Sequence, residues 1–244
     1  MTQHAMQDVT PDATTTSSSE PAHADNAAAR SSADAAHFLY FADPMCSWCY
    51  GFAPVIDTIA THFAGRIPVR VVVGGLRAGN TQAMRAADRD YISSAWTRVA
   101  AASGRTFDHA FFDREHFVYD TEPACRAVVT ARTIAPERTL AMKAAISTAF
   151  YANNRDTTDR DVLLDIAADE GFDREEFGRV FDLADTRNAT TRDFHFAQQS
   201  GVQGFPCLVV GTEQAGYALV TNGFRPIDGL IEGVEGWLAQ RADA

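Results

Sequence analysis

The chain of 244 residues has no basic excess, no long apolar run and few cysteines. Its formal net charge of −11 excludes the basic patch that a nucleic-acid surface needs, and gives it no attraction to an anionic membrane. No apolar stretch approaches the roughly 20 residues of a transmembrane helix. Four cysteines in this length are too sparse for a disulfide scaffold, which is short and dense in cysteine. The N-terminal stretch also lacks the basic start and apolar centre of a secretory signal. In Met1 to Ala36 the only Lys or Arg is Arg30, and no residue is aromatic. Such a composition cannot bury enough surface to offset its ordering entropy, so residues 1–36 are expected to form a disordered tail. The expected location is cytoplasmic, where a cysteine pair more often does chemistry or binds metal than staples a fold.

Order is expected from His37 onward. Phe38 to Phe41 reads as a buried strand ended by Asp43-Pro44. Trp48, Phe52, Val55, Ile56, Ile59 and Phe63 recur at helical spacing and predict a helix over 47–64, kinked at Pro54 and capped at Gly65. The valine run Val69–Val73 predicts a second strand buried on both faces, which completes a βαβ unit. Strand signals then stop. Helices are predicted over 81–103, 122–134, 136–153, 159–170 and 173–184, with "TDRD" and "FDRE" as acidic helix starts. A helix over 187–200, strands over 207–210 and 217–220 paired as an antiparallel hairpin, and a helix over 226–240 end the chain. This is an α/β order in which a sheet-forming unit over 37–80 and 186–244 is interrupted by a helical insertion over 81–185.

Within "ADPMCSWCYGFAP", Cys46 and Cys49 form a C-x-x-C where a strand gives way to a helix. A thiol at a helix start meets unpaired N–H groups and the positive end of the dipole, so Cys46 should ionise more easily than a free cysteine. Cys49, one turn on, is placed to attack a mixed disulfide formed on Cys46. Two other readings stand beside this one: half of a zinc site, or two inert core thiols. The zinc reading needs two more ligands, and no second C-x-x-C or C-x-x-H occurs in the chain. Pro206, opening a strand after Gly204-Phe205, is a natural place for a cis peptide.

These residues, with Pro54 five positions after Cys49, the helical insertion and "GVQGFP", resemble the DsbA family of the thioredoxin superfamily. The stretches "ADPMCSWCYGFAP", "VVGGLRAGN" and "FVYDTEPACRAVV" are similar to its predicted cytosolic disulfide-isomerase branch, related to FrnE-like proteins. The resemblance runs from about Phe38 to Leu238. It implies a thioredoxin-like fold with a helical insertion domain, and a thiol–disulfide oxidoreductase or isomerase acting on protein or small-molecule thiols. Under it, Cys46 is the nucleophile, Cys49 the resolving thiol and Pro206 the cis-proline beside them. Main-chain groups of Phe205 would pair with an extended substrate. No bound cofactor or metal is implied, and glutathione is a candidate co-substrate. The intervening dipeptide is Ser47-Trp48 rather than the Pro-His of DsbA itself, so the oxidising role of that enzyme does not transfer.

Two rival functions remain at this stage. One is a glutathione-dependent enzyme resembling kappa-class transferases and 2-hydroxychromene-2-carboxylate isomerases, which generally carry Ser where Cys46 stands. The other is a non-enzymatic thiol-binding module. Oligomeric state is left open by the sequence.

Other candidates carry a plainer reading alongside a functional one. Trp48 either shapes substrate access or covers the pair from water, and Ser47 is a supporting residue beside it. Asp43 either relays a proton to Cys49 or forms the turn before Pro44. Cys125 is either a third redox thiol or a core residue beside Val128 and Val129. Cys207 is expected to point away from the site by strand alternation. Glu122 and Arg126 either line a groove or cap a helix. The histidines, including His116 and His195, show no triad or ligand spacing.

Overall fold

A computed structural model describes residues 35–242. The tail expected over 1–36 lies, up to residue 34, outside the described residues.

Four strands form one sheet in the order β2-β1-β3-β4. Strand β1 (His37–Ala42) is central. It pairs in parallel with β2 (Val69–Val73), Phe38 opposite Val69, and antiparallel with β3 (Cys207–Thr212), Phe38 opposite Val210. Strand β4 (Gly216–Asn222) closes the predicted hairpin against β3. Every residue of β1 is buried because the sheet is covered on both faces. Phe38, Tyr40 and Ala42 face the main core, whereas Leu39 and Phe41 join Val72, Ala197 and Cys207 in a smaller cluster on the other face. In β2 the expected two-sided burial holds for Val71–Val73 only; Arg70 is exposed.

The helix expected over 47–64 is two helices, α1 (Ser47–Gly51) and α2 (Ala53–His62), hinged at Phe52. Pro54 sits in the first turn of α2, where its missing N–H costs nothing, so the proline starts a helix rather than kinking one. The C-cap of α2 is Phe63, two residues before the positive-φ Gly65. Five helices follow: α3 (Ala86–Ser103), α4 (Glu122–Ile134), α5 (Thr139–Tyr151), α6 (Arg160–Asp169) and α7 (Arg174–Phe181).

The start of α3 falls five residues later than the periodicity predicts. Tertiary pairing claims the preceding segment: Met84 N–H donates to the Phe117 carbonyl, and Ala83 bridges Val118. The acidic starts of α6 and α7 are where the sequence put them. The Asp159 carboxylate accepts from the N–H groups of Asp161 and Val162, and that of Asp173 from Glu176 N–H. Helix α8 (Ala184–Gln199) begins three residues early, after Leu183 turns extended and Thr186 donates its hydroxyl to the Val180 carbonyl. Helix α9 (Leu230–Ala242) begins four residues late, because Gly229 at φ +77° lies outside helical conformation.

The insertion helices and the sheet share one continuous core. Trp96 of α3 sits at its centre, in ring contact with Tyr151 at 5.1 Å, Phe107 at 5.3 Å and Phe111 at 5.1 Å between centroids. Tyr151 in turn stacks on Tyr50 of α1 at 5.0 Å. This aromatic wedge presses α1, and with it the C-x-x-C, against the insertion.

Candidate active site

Cys46 is the N-cap residue of α1, at φ −95° and ψ 118°, and Cys49 lies one turn inside it. The loop before them is held by buried hydrogen bonds. Asp43 accepts from Met45 N–H at 2.8 Å through one carboxylate oxygen and from Leu76 N–H at 2.7 Å through the other. The Met45 carbonyl accepts two hydroxyls, Tyr119 at 2.7 Å and Tyr151 at 2.6 Å, and Ser147 donates to the Pro44 carbonyl at 2.7 Å. Three insertion residues therefore fix the backbone that aims Cys46.

Across from it, the Phe205–Pro206 peptide is cis. The Cys46 thiol donates weakly to the Phe205 carbonyl, with a sulfur–oxygen distance of 3.6 Å. Both thiols are unpaired with any other cysteine. Cys49 is fully buried, and Cys46 is only 5% exposed, less open than its expected role suggests. Its access is a cleft of about 440 Å³ lined by Ser47, Trp48, Leu76, Tyr91, Arg98 and Phe205 among others. Leu76 and Tyr91 are large apolar side chains left 46% and 67% exposed at its rim. Trp48 packs on Phe224 at 5.7 Å between ring centroids, leaving its ring as one wall.

The two thiols differ electrostatically. A hydrogen bond from the Cys49 thiol holds Cys46 below the usual cysteine range, against the opposing effect of burial. Cys49 N–H and the charge of Lys143 add to the lowering, while Asp43 opposes it. Cys49 is pushed well up, first by burial and then by its bond to Cys46, with Lys143 acting the other way. The helix-start N–H that the sequence points to is thus one contributor, through Cys49, but the largest is the Cys49 thiol.

The remaining candidates fall into place around this pair. Asp43 is a turn former and strap; besides the two N–H groups, its carboxylate accepts the Cys125 thiol at 3.4 Å. Burial raises its pKa. Cys125 is fully buried on α4, kept protonated by burial and the Asp43 charge, and lines no part of the cleft. Cys207 faces the opposite side of the sheet, as alternation predicts. Glu122 is not brought to the cleft. It pairs with Arg126 at 3.1 Å one helical turn away, and Arg126 lies over the Phe181 ring at 4.0 Å.

Sequence reading missed the residues that support the site from the insertion: Tyr119, Tyr151, Ser147, the cleft arginines Arg77 and Arg98, and Lys143. One signal was available for Lys143. It is the only lysine in the chain, and it sits in the apolar helix segment "LAMKAAIS". Its side chain is 1% exposed, and Nζ donates to the Cys49 carbonyl at 3.0 Å.

Comparison with known proteins agrees with this fold. The structure is similar to that of "a putative protein disulfide isomerase from Nitrosomonas europaea", with a TM-score of 0.79 and 35% identity over 84% of this chain and 98% of that one. It is also similar to the cytosolic disulfide reductase DsbM from Pseudomonas aeruginosa, with a TM-score of 0.70 and 26% identity over 84% of this chain and 99% of that one. The ClpXP adapter protein SpxH of Bacillus subtilis is 22% identical over 169 residues, 69% of this chain and 56% of SpxH. The chain thus spans little more than half the length of that curated relative. Residues 39–230 match the DSBA-like thioredoxin domain, and the chain belongs to that family.

Proposed function

We propose that the protein is a thiol–disulfide oxidoreductase in which Cys46 attacks and Cys49 resolves. The observation that carries this reading is the asymmetry of the pair. The thiol held low in pKa borders the cleft and the Phe205 carbonyl, and the one held high is buried behind it. Cys46 thiolate attacks a substrate disulfide, forming a mixed disulfide and releasing one substrate thiolate. Cys49 then attacks the Cys46 sulfur, closing the Cys46–Cys49 disulfide and releasing the second. Run in reverse, the same steps oxidise a dithiol, and repeated exchange isomerises protein disulfides.

The main-chain groups of Phe205 at the cleft and the apolar rim of Leu76 and Tyr91 suit an extended peptide. Glutathione is the small-molecule co-substrate in this reading. Arg77 and Arg98 line the cleft, and their guanidinium groups complement its carboxylates. A relative crystallised with GSH, DsbM, shares 27% identity and supports this choice. DsbM is described as cytosolic, and by that likeness we assign the reaction to the cytoplasm.

Equilibrating the protein against glutathione redox buffers tests the reading. A reversible two-electron transition is expected in the wild type, and none in Cys46→Ser or Cys49→Ser. A wild-type protein without that transition rules the enzyme out. A second reading, a non-enzymatic adapter, is favoured by the resemblance to SpxH. It predicts that Cys46→Ala, Cys49→Ala protein retains its full cellular function.

A further inference from the structure

Lys143 places an ionisable amine in the core directly under the cysteine pair. Its one hydrogen bond is to the Cys49 carbonyl, and among the described residues no carboxylate stands within ion-pair distance of it. A buried ammonium without a counter-ion is costly, and a lysine, unlike an arginine, escapes that cost by losing its proton. All 20 other basic Lys or Arg residues of the chain are arginine, 21 in total with Lys143. Among the Lys and Arg residues, the one side chain able to lose its proton is thus the one placed here. The groups facing it are Tyr40 and Asp43 from β1 and its following loop, Cys46 and Cys49 at α1, and Asp57 from α2.

We propose that Lys143 and Cys49 share one proton, so that the pair alternates between thiol with amine and thiolate with ammonium as disulfides are exchanged. Lys143 thus acts through Cys49 as a positioning residue. This rests on the reading of Cys46 and Cys49 as a redox pair.

In the resolving step, the S–H bond of Cys49 breaks and its proton passes to the Lys143 amine. The new Cys49–Cys46 disulfide forms as the bond from Cys46 to the substrate sulfur breaks. That electron pair leaves with the substrate thiolate, which receives the proton from Lys143 as the ammonium relaxes. Atoms and charge balance without a further reactant: mixed disulfide and thiol become disulfide and released thiol. The chemistry needs such a partner because Cys49 otherwise ionises inside an apolar core. Burial holds the amine below the usual lysine range, and a Cys49 thiolate, the largest opposing influence, raises it again.

Since there is one lysine, protein labelled with 13C-lysine and carrying a lysine-free tag gives one side-chain Cε signal, and its pH titration reads Lys143 directly. The midpoint should be higher in the dithiol form than in the disulfide form by about one pH unit or more, a tenfold change in proton affinity. In reduced protein the raised midpoint should persist in Cys46→Ala and fall toward that of the wild-type disulfide form in Cys49→Ala. Equal midpoints in both redox states, or a difference that follows Cys46 instead, overturns the proposal using folded protein with its lysine intact.

Kinetics supply a second arm. With 5,5′-dithiobis(2-nitrobenzoate) as substrate, Cys46 attack releases one coloured thiolate and Cys49 resolution a second. Lys143→Met and Lys143→Gln should each slow the second release about tenfold at neutral pH. Its pH midpoint should rise, and the first release should stay within a few fold. Gln keeps a donor for the Cys49 carbonyl, so a wild-type second phase in Lys143→Gln reduces the lysine to a structural donor and overturns the proposal. Absence of any second release from wild-type protein instead overturns the redox reading on which it rests.

Discussion

The ring of Phe205 fills the space that a side chain on Gly74 would need: a Cβ built there overlaps three ring carbons of Phe205. Gly74 continues β2 and donates its N–H to the Ala42 carbonyl at 2.9 Å, so its backbone cannot retreat. Gly74→Ala should therefore push the Phe205 ring out and carry with it the carbonyl that faces Cys46. The expected cost is about 1–3 kcal/mol from overpacking, read by urea denaturation, together with slower attack by Cys46 on a model disulfide. Wild-type stability and kinetics in Gly74→Ala would separate Phe205 from the site.

Cys46 should alkylate with a pH midpoint below the ordinary value of roughly 8.5, and Cys49 far more slowly. In Cys49→Ala the midpoint should rise, because the largest stabilising contact of the Cys46 thiolate is gone. The sign for stability follows from the same shift. A folded pKa below the unfolded one favours the reduced fold above the unfolded pKa, and that gain is lost as pH falls through the folded value. Peptide mapping of partially alkylated protein measures the order; prior reaction at Cys49 reverses the roles.

Tyr119 and Tyr151 both donate to the Met45 carbonyl, one residue before Cys46. Either tyrosine alone satisfies that carbonyl, so Tyr119→Phe and Tyr151→Phe should each cost about 0.5–1.5 kcal/mol. The double variant leaves a buried carbonyl unpaired and should cost more than the two together. Denaturation of the three proteins gives the coupling directly. Simple additivity would mean that the two hydroxyls do not act on one acceptor.

Asp43 tests strap against relay. Asp43→Ala removes the acceptors of Met45 and Leu76 N–H, and each buried donor left unpaired costs about 1–3 kcal/mol. Stability should fall, while the pH midpoint of the second thiol release stays where it is. A shifted midpoint with stability intact would make Asp43 the proton carrier. Because the folded pKa of Asp43 is raised, its contribution is greatest below the unfolded value near ~3.9 and declines as pH rises through the folded one.

The sequence by itself determined the local order: the buried β1, the valine strand β2, the hairpin of β3 and β4, and helices whose aspartate caps, Asp159 and Asp173, sit next to their first turns. It also determined the C-x-x-C and marked Pro206 as a place for a cis peptide, since each signal is contained within a few neighbouring residues; that the two face each other across 159 residues was decided by the fold. Helix ends were legible where a cap was local, and displaced where distant groups took over, as at Ala83 with Val118. Only the tertiary structure decided which insertion residues serve the cysteines. Tyr119, Lys143 and Tyr151 reach Met45 and Cys49 across separations of 74, 94 and 106 residues. No periodicity encodes such a contact. Glu122 and Cys125 show the converse, for they stand in a stretch that resembles the family, yet an ion pair with Arg126 and burial against Asp43 keep them from the cleft. A side chain's chemistry is written in the sequence, but the charge it carries depends on what the fold buries it against, and in the proposed reaction that decides which thiol attacks.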